Sequence, residues 1–155
     1  MPTDNGDFLA HYSEKGLVEP NFPGRHVNGD TQSKETMSAE IRAWYQITRA
    51  ALHKMLAGER VDKLPPLDAT GTDFQKSVWR EMQKIPAGQT MSYGEIARAI
   101  GKPKAVRAVG GACGANPIPV FVPCHRVLAA NNKIGGFSSG LDWKRKLLAR
   151  EGINV

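Results

Sequence analysis

Residues 92–115 read SYGEIARAIGKPKAVRAVGGACGA, and this stretch decides how the C-terminal part of the chain folds. Ser92 and Glu95 have the spacing of a capping box, in which each side chain binds a backbone N–H at the start of a helix. Gly101-Lys102-Pro103 predicts a tight turn, and a second helix is expected to begin near Lys104. Two short helices joined by a three-residue turn that contains glycine are typical of a helix-turn-helix.

The second helix of this pair carries few long side chains. After Lys104, the segment up to Ala115 has Arg107 as its one long side chain, and its other residues are glycine, alanine, valine and cysteine. A helix that reads base edges in the major groove is expected to carry several hydrogen-bonding side chains. A bare helix can instead press its backbone into the minor groove, which is about 6 Å wide. The composition is equally typical of a helix that packs on a neighbour through small residues, so both interpretations stay open here.

Charge is divided unevenly around this stretch. The 155 residues carry a formal net charge of +6. Residues 1–70 hold 8 Lys/Arg against 10 Asp/Glu, whereas residues 71–155 hold 13 against 5. The 46 residues between Glu95 and Asp142 contain no acid. This asymmetry favours a polyanionic partner such as nucleic acid for the C-terminal half, although a basic surface that serves solubility has the same signature.

The residues before this stretch predict a small N-terminal lobe. It comprises candidate strands at Phe8–Tyr12 and Gly16–Val18, a loop at Asn21–Ser33 and an amphipathic helix at Ser38–Leu56. A stiff connector with two consecutive prolines, residues 64–71, follows at the point where the charge changes sign. We therefore divide the chain into a supporting lobe, residues 1–67, and a second domain, residues 68–155.

The second domain is predicted to be mainly helical. Besides the helix pair, it comprises a helix from a Thr72–Gln75 capping box to Ile85, a buried strand at Val120–Val122, a flexible loop or wing at 131–140 and a closing helix at Trp143–Glu151. The prediction as a whole is an α+β protein: a small N-terminal lobe with short strands and a helix, and a mainly helical C-terminal lobe with a winged helix-turn-helix-like module.

Several broad classes are excluded or disfavoured. No stretch approaches the roughly 18 apolar residues that a membrane span needs, so we expect no membrane partner. The N-terminal segment Met1–Asp7 is polar and acidic, unlike a secretory signal. The two cysteines, Cys113 and Cys124, cannot form a disulfide framework and suit a reducing compartment. We therefore expect a cytoplasmic protein.

Cys124 is the leading candidate for chemistry. It follows Pro123 and an apolar run, and His125, the one histidine of the second domain, comes directly after it. A thiol attacks as its thiolate, and a nearby base can supply that form. A cysteine after an apolar strand is, however, more often an inert core residue. Neighbouring strand residues point to opposite faces, so assistance by His125 requires an irregular backbone or a bridging water.

Two other cysteine chemistries fit less well. Cys113, Cys124 and His125 offer three zinc ligands, but the paired C-x-x-C spacing of zinc sites is absent. Papain-like proteolysis needs a separate histidine and an orienting Asn or Asp, and the local signatures of cysteine proteases are missing.

Five ordered blocks identify a family. Pro123-Cys124-His125-Arg126-Val127 resembles the active-site motif of the O6-alkylguanine-DNA alkyltransferases, and the likeness runs from about Thr72 to Gly152. The other four blocks are Gly88–Tyr93, Lys104–Gly110, Asn116-Pro117 and Leu147–Gly152. Together these blocks are far more specific than any one of them.

The resemblance implies five catalytic residues. Cys124 matches the alkyl-accepting cysteine, and His125 matches the general base that acts through a water. Glu151 matches the carboxylate that orients this histidine. Asn116 matches the link between the helix-turn-helix and the active site, and Tyr93 the tyrosine that helps guanine leave.

The resemblance also implies contacts to DNA and to the flipped base. Arg107 matches an arginine finger that enters the duplex where the target nucleotide was. The other expected DNA-binding residues are Ser92, Tyr93, Lys104, Ala105, Ala108, Gly110, Gly111 and Arg126. The expected base pocket consists of Tyr93, Val127, Phe137 and Ser138. Ser138 stands where the bond to the alkylated oxygen is expected, and Phe137 stands where some members have tyrosine.

The activity implied is repair of double-stranded DNA by irreversible transfer of the alkyl group from O6-alkylguanine to Cys124, and activity on O4-alkylthymine is left open. The resemblance implies no cofactor and a monomer, located at the nucleoid or in the nucleus. We expect no metal, because the N-terminal lobe lacks the cysteines with which some members bind zinc. The rivals are a non-catalytic lesion-binding relative, a helix-turn-helix regulator and a thiol-dependent hydrolase.

Overall fold

A computed structural model describes residues 1–24 and 37–155, so the predicted loop beyond residue 24 lies outside the described residues. The elements follow the chain as β1 Pro2–Thr3, β2 Gly6–Asp7, β3 Leu9–Ser13, β4 Gly16–Asn21, α1 Ala39–Leu56, α2 Asp73–Gln83, β5 Met91–Ser92, α3 Tyr93–Ala99, α4 Val106–Gly114, β6 Val127–Leu128 and α5 Leu141–Arg150. The predicted α+β class is confirmed.

The N-terminal lobe is built from two antiparallel strand pairs and α1. Strands β1 and β2 form one pair, and β3 and β4 form a hairpin with an irregularity after His11. Ser38 caps α1 by accepting a hydrogen bond from the Ile41 N–H. The Tyr12 hydroxyl lies 2.8 Å from the Thr48 hydroxyl, which ties the hairpin to α1.

Both predicted capping boxes of the second domain are present. The Thr72 side chain accepts from the Gln75 N–H while the Gln75 side chain accepts from the Thr72 N–H, so α2 begins where the sequence predicts. Ser92 and Glu95 do the same for α3. Helix α4 begins at Val106, two residues later than predicted, because the Ala105 N–H donates to the Lys102 carbonyl in a turn.

The predicted strand at Val120–Val122 is wrong. All three residues are buried, but the Val122 N–H donates to the Ile118 carbonyl and Val120 has a φ of +75°. Prolines at 117, 119 and 123 surround the segment. Because proline has no N–H to give to a strand ladder, the apolar run folds as a buried turn.

Strand β6 pairs in parallel with β5, with Met91 opposite Val127 and Ser92 opposite Leu128. The predicted loop or wing at 131–140 follows β6 and contains no strand. This pairing sets the segment that follows Cys124 beside the start of α3.

An aromatic cluster joins the two lobes. Phe8 and Phe22 of the N-terminal lobe pack on Trp143 with ring centroids 5.6 and 5.0 Å apart, and Phe22 also reaches Phe137 at 6.2 Å. One core therefore continues from the hairpin to the loop before α5. Among the described residues, none of the helices has both the length and the apolar character to cross a membrane.

Candidate active site and the exposed helix above it

Cys124 lies in a short 3-10 helix, Cys124–Arg126, and is 4% exposed. With 3.0 residues per turn, consecutive side chains of such a helix are about 120° apart, in contrast to the opposite faces of a strand. The irregular backbone that a cysteine–histidine pair requires is therefore present. Pro123 precedes it as the N-cap residue.

His125 forms a buried pair with Glu151. Its Nε2 lies 3.0 Å from Glu151 Oε1, and the two side chains are 2% and 1% exposed. An ionised carboxylate only accepts hydrogen bonds, so Nε2 carries the proton and Nδ1 keeps its lone pair. Nδ1 is buried and has no hydrogen-bond partner within the described ranges. Burial lowers the pKa of His125 below its ordinary value, against the opposing effect of Glu151, so the ring is a neutral base at pH 7.

Arg126 does not lie on the DNA-facing surface that we expected. Its side chain is buried, with Nε and Nη2 donating to Glu151 at 2.7 to 3.1 Å and Nη1 donating to the Ile85 carbonyl at 2.8 Å. Burial opposes ionisation of Glu151, but hydrogen bonds from His125 and Arg126 outweigh it and lower the pKa of that carboxyl to about 2. Arg126 therefore fixes the position of the Glu151 carboxylate, and that carboxylate in turn fixes the position of the His125 ring.

Asn116 connects the end of α4 to the cysteine. Its Nδ2 donates to the Val122 carbonyl at 2.8 Å, and its Oδ1 accepts from the Ile118 N–H at 3.0 Å. The buried turn that replaces the predicted strand is thus pinned by Asn116, directly before Pro123 and Cys124.

Lys144 is a site residue that the sequence reasoning missed. It is fully buried on α5, and its Nζ donates to the Val127 carbonyl at 2.7 Å and the Gly136 carbonyl at 3.0 Å. Burial lowers its pKa to about 8, opposed by Cys124 and Cys113. One signal could have revealed it: Lys144, Leu147 and Leu148 have the i, i+3, i+4 spacing of a buried helix face.

The thiol itself is held in its protonated form. Burial raises the pKa of Cys124 to about 11, against the Asn116 hydrogen bond and the charge of Lys144. Reaction therefore requires a base to remove the proton. Cys113 is buried with its Sγ 3.5 Å from Met82 Sδ, and burial raises its pKa to about 12, so it is a core thiol. Across the described residues, no cluster of three or more His, Cys, Asp or Glu could hold a metal ion.

Of the expected base pocket, Tyr93 contacts the loop before α5, which carries Phe137 and Ser138. The Tyr93 hydroxyl accepts from the Gly136 N–H at 3.4 Å. Gly135 has a φ of +68°, which favours glycine, and a Cβ there would lie 2.8 Å from the Tyr93 hydroxyl, so a larger residue would strain the backbone and displace that side chain. Val127 is buried, Phe137 is half-buried and Ser138 is exposed.

Helix α4 turns its small residues outward. Arg107, Ala108 and Gly111 are exposed, as is Lys104 before the helix. A Cβ added at Gly110, Gly111 or Gly114 would meet nothing within 4 Å. Close packing on a neighbour therefore does not explain these glycines. Of the two interpretations of this helix, the one that remains is a bare outer surface that can approach the minor groove. The inner face packs on α2, where the Trp79 indole N–H donates to the Ala112 carbonyl at 2.8 Å.

The sequence matches a known protein family and its members. Residues 73–153 match the family model described as "6-O-methylguanine DNA methyltransferase, DNA binding domain". The chain is 43% identical over 148 residues to the methylated-DNA–protein-cysteine methyltransferase of Methanosarcina acetivorans, a match that covers 95% of this chain and 92% of that protein.

Solved structures agree with the sequence match. The fold resembles Mycobacterium tuberculosis OGT in complex with DNA with a TM-score of 0.81 and 36% identity, over 97% of this chain and 89% of that one. It also resembles an O6-methylguanine DNA methyltransferase from Methanococcus jannaschii with a TM-score of 0.68 and 30% identity, over 96% of this chain and 89% of that one.

Proposed function

The chain belongs to the 6-O-methylguanine DNA methyltransferase family, and from this we propose that it repairs double-stranded DNA by moving the alkyl group of O6-alkylguanine irreversibly to Cys124. The observation that carries the proposal is the buried Cys124 beside a His125–Glu151 pair whose Nδ1 has no hydrogen-bond partner in the described part of the chain.

The chemistry follows from the state of each group. His125 Nδ1 takes the proton of the Cys124 thiol through a water, and Glu151 stabilises the imidazolium that forms. The thiolate then attacks the alkyl carbon in line. A C–S bond forms, the bond from carbon to O6 breaks, and its electron pair stays on guanine. Tyr93 helps this guanine leave by donating a hydrogen bond to the base.

The product explains why each molecule acts once. A thioether on Cys124 has no leaving group that water readily displaces, so the thiol is consumed. No cofactor enters the step, because the thiol is nucleophile and acceptor in one.

Access to the alkylated base requires the nucleotide to leave the stack, at a cost of a few kcal/mol. Arg107 is exposed on α4 and fills the vacated position, which offsets part of that cost. The bare outer surface of α4 lets the backbone approach the minor groove. Contacts to phosphates supply affinity without reading sequence, so repair does not depend on the flanking bases.

The test is intact-mass spectrometry after mixing the protein with a duplex that contains O6-methylguanine. We expect one added methylene per protein, mapped to Cys124 and absent from Cys124→Ser, while Cys113→Ser still reacts. Tight lesion binding without added mass would favour the lesion-binding rival. More than one lesion repaired per protein would favour a hydrolase.

Two further expectations belong to this proposal. We propose that the protein acts as a monomer, which sedimentation of the free and DNA-bound protein tests. We also propose that it works in the cytoplasm, at the nucleoid or in the nucleus, where duplex DNA is present and thiols stay reduced.

A further inference from the structure

A cavity lies between the two lobes, next to the candidate active site. It has a volume of about 180 Å³, and one wall comes from the N-terminal lobe, at Glu19–Phe22. The opposite wall comes from the second domain and contains Asn116, the two prolines 117 and 119, and the serines 138 and 139. The N-terminal lobe, for which no role has yet been proposed, thus supplies one of the two walls of this cavity.

The cavity lies next to the segment that carries the reacting thiol. Asn116 lines it and also donates to the carbonyl of Val122, two residues before Cys124. Ser138, expected near the alkylated oxygen, lines it from the other side. A group attached to that oxygen and pointing away from guanine would therefore extend toward β4.

The N-terminal wall carries a hydrogen-bonding group that has no partner among the described residues. Asn21 Nδ2 is buried and has no hydrogen-bond partner in residues 1–24 and 37–155. Burying a donor without a partner costs free energy, so a ligand that satisfies it gains affinity. Glu19 lies two residues earlier on the same strand and therefore on the same face. Its carboxylate disfavours an anionic ligand in this space.

We propose that this cavity is a specificity pocket for O6 substituents longer than methyl that end in a neutral hydroxyl, with Asn21 as the specificity-determining residue. The inference rests on the proposed function. A hydroxyl both donates and accepts, so it suits a carboxamide in either orientation. A volume of about 180 Å³ is ample for a short substituent.

The aromatic cluster keeps this wall in place. Phe22, the residue after Asn21, packs on Trp143 at 5.0 Å and on Phe137 at 6.2 Å between ring centroids. Because Phe137 directly precedes Ser138, the same contacts fix both walls relative to each other. A pocket that is rigid before binding loses less conformational freedom when it fills.

The experiment compares duplexes that contain O6-(2-hydroxyethyl)guanine and O6-n-propylguanine, whose substituents have the same number of heavy atoms. Binding is measured with Cys124→Ala protein, so differences in chemical reactivity do not enter. We expect about tenfold tighter binding of the hydroxyethyl duplex, as one satisfied hydrogen bond gives. Asn21→Leu in the same background should reduce the ratio to about one.

Glu19→Gln is the matched control on the same wall. It should keep the hydroxyethyl preference and bind an O6-carboxymethylguanine duplex more tightly than the parent does. Equal binding of the hydroxyethyl and propyl duplexes by the parent, or a preference that survives both Asn21→Leu and Asn21→Ala, would overturn the inference. Transfer from O6-methylguanine to the unaltered protein tests the proposed function separately, so the two failures are distinguishable.

Discussion

At the scale of single residues, Lys144 raises a physical question, because an ammonium group is rarely buried without an acidic partner. Its Nζ is satisfied by the carbonyls of Val127 and Gly136, one on the segment after Cys124 and one on the loop of the base pocket. The charge acts on Cys124 and lowers the pKa of the thiol relative to burial alone. Lys144 therefore positions two segments and favours the thiolate at once.

We expect Lys144→Met to slow alkyl transfer by about tenfold or more, the value of one pKa unit in thiolate population. The rate should also shift to higher pH, because removing the cation raises the pKa of Cys124 further. The measurement is the pH profile of the reaction with free O6-benzylguanine, which needs no DNA. Lys146→Met is the control, since that cation lies over the Trp143 ring at 5.3 Å on the same helix. If the reaction is slower but its pH profile is unshifted, Lys144 has only a structural role and its charge does not act on the thiol.

Glu151 makes a second prediction, on stability. A carboxyl whose pKa falls from 4.5 to about 2 on folding stabilises the protein fully above pH 4.5, and loses that contribution as the pH falls through about 2. Glu151→Gln should lower the free energy of unfolding by about 3 kcal/mol at pH 7, because Arg126 keeps a buried charge without its partner. Urea unfolding across pH values measures the difference, which should shrink toward pH 2. Asp142→Asn, at a side chain 94% exposed on α5, should change little.

At the scale of elements, the outer surface of α4 carries residues that the packing of the fold does not require. Its glycines 110, 111 and 114 occupy open positions, although glycine costs a helix roughly 0.5–1 kcal/mol relative to alanine. No packing contact explains why the outer surface of α4 keeps these glycines despite their cost to helix stability. We therefore infer that they allow DNA to approach that surface closely.

Gly111→Leu should therefore leave the fold intact or slightly more stable, and slow transfer from duplex DNA by about tenfold or more, as loss of one close contact of 1.4 kcal/mol gives. The reaction with free O6-benzylguanine should be unchanged, because that base does not need the groove. Thermal unfolding and the two transfer assays measure these effects. Ala50→Leu, at an exposed position on α1, controls for the added side chain. Equal slowing with both substrates would contradict a DNA-facing role for α4.

Elements with local signals could be predicted from the sequence. Thr72 and Ser92 open α2 and α3 as expected, since a capping box is complete within four residues. The Val120–Val122 turn could not be predicted from its apolar run, because burial is shared by strands and core loops and the prolines decided between them. Arg126 is a charged residue in a basic stretch, and only its contact with Glu151, 25 residues along the chain, shows that it is internal. For Lys144 the spacing to Leu147 and Leu148 indicates burial, but its partners Val127 and Gly136 could not be predicted from that spacing.

At the scale of the molecule, the buried charges refine the picture of a basic half. Arg126 and Lys144 do not face solvent, whereas Arg98, Lys102, Lys104, Arg107 and Lys133 are exposed. The exposed cations lie around α3, α4 and the loop 131–140, and we expect this part of the charge to contact phosphates. The domain boundary drawn between 1–67 and 68–155 stays a prediction about the chain, because the core continues across it through Phe8, Phe22 and Trp143.

That shared core predicts cooperative unfolding. Trp44 on α1, Trp79 on α2 and Trp143 between the lobes should report one transition, coincident with loss of far-UV circular dichroism. Phe22→Ala removes a buried ring that contacts Phe8, Phe137 and Trp143. It should lower the free energy of unfolding by about 3–5 kcal/mol. The midpoint of the whole unfolding transition should shift, because the core residues of each lobe stay buried only while the other lobe is folded. Two separated transitions, with the change confined to the first lobe, would mean that the lobes are independent domains and that the hairpin does not hold the loop before α5 in place.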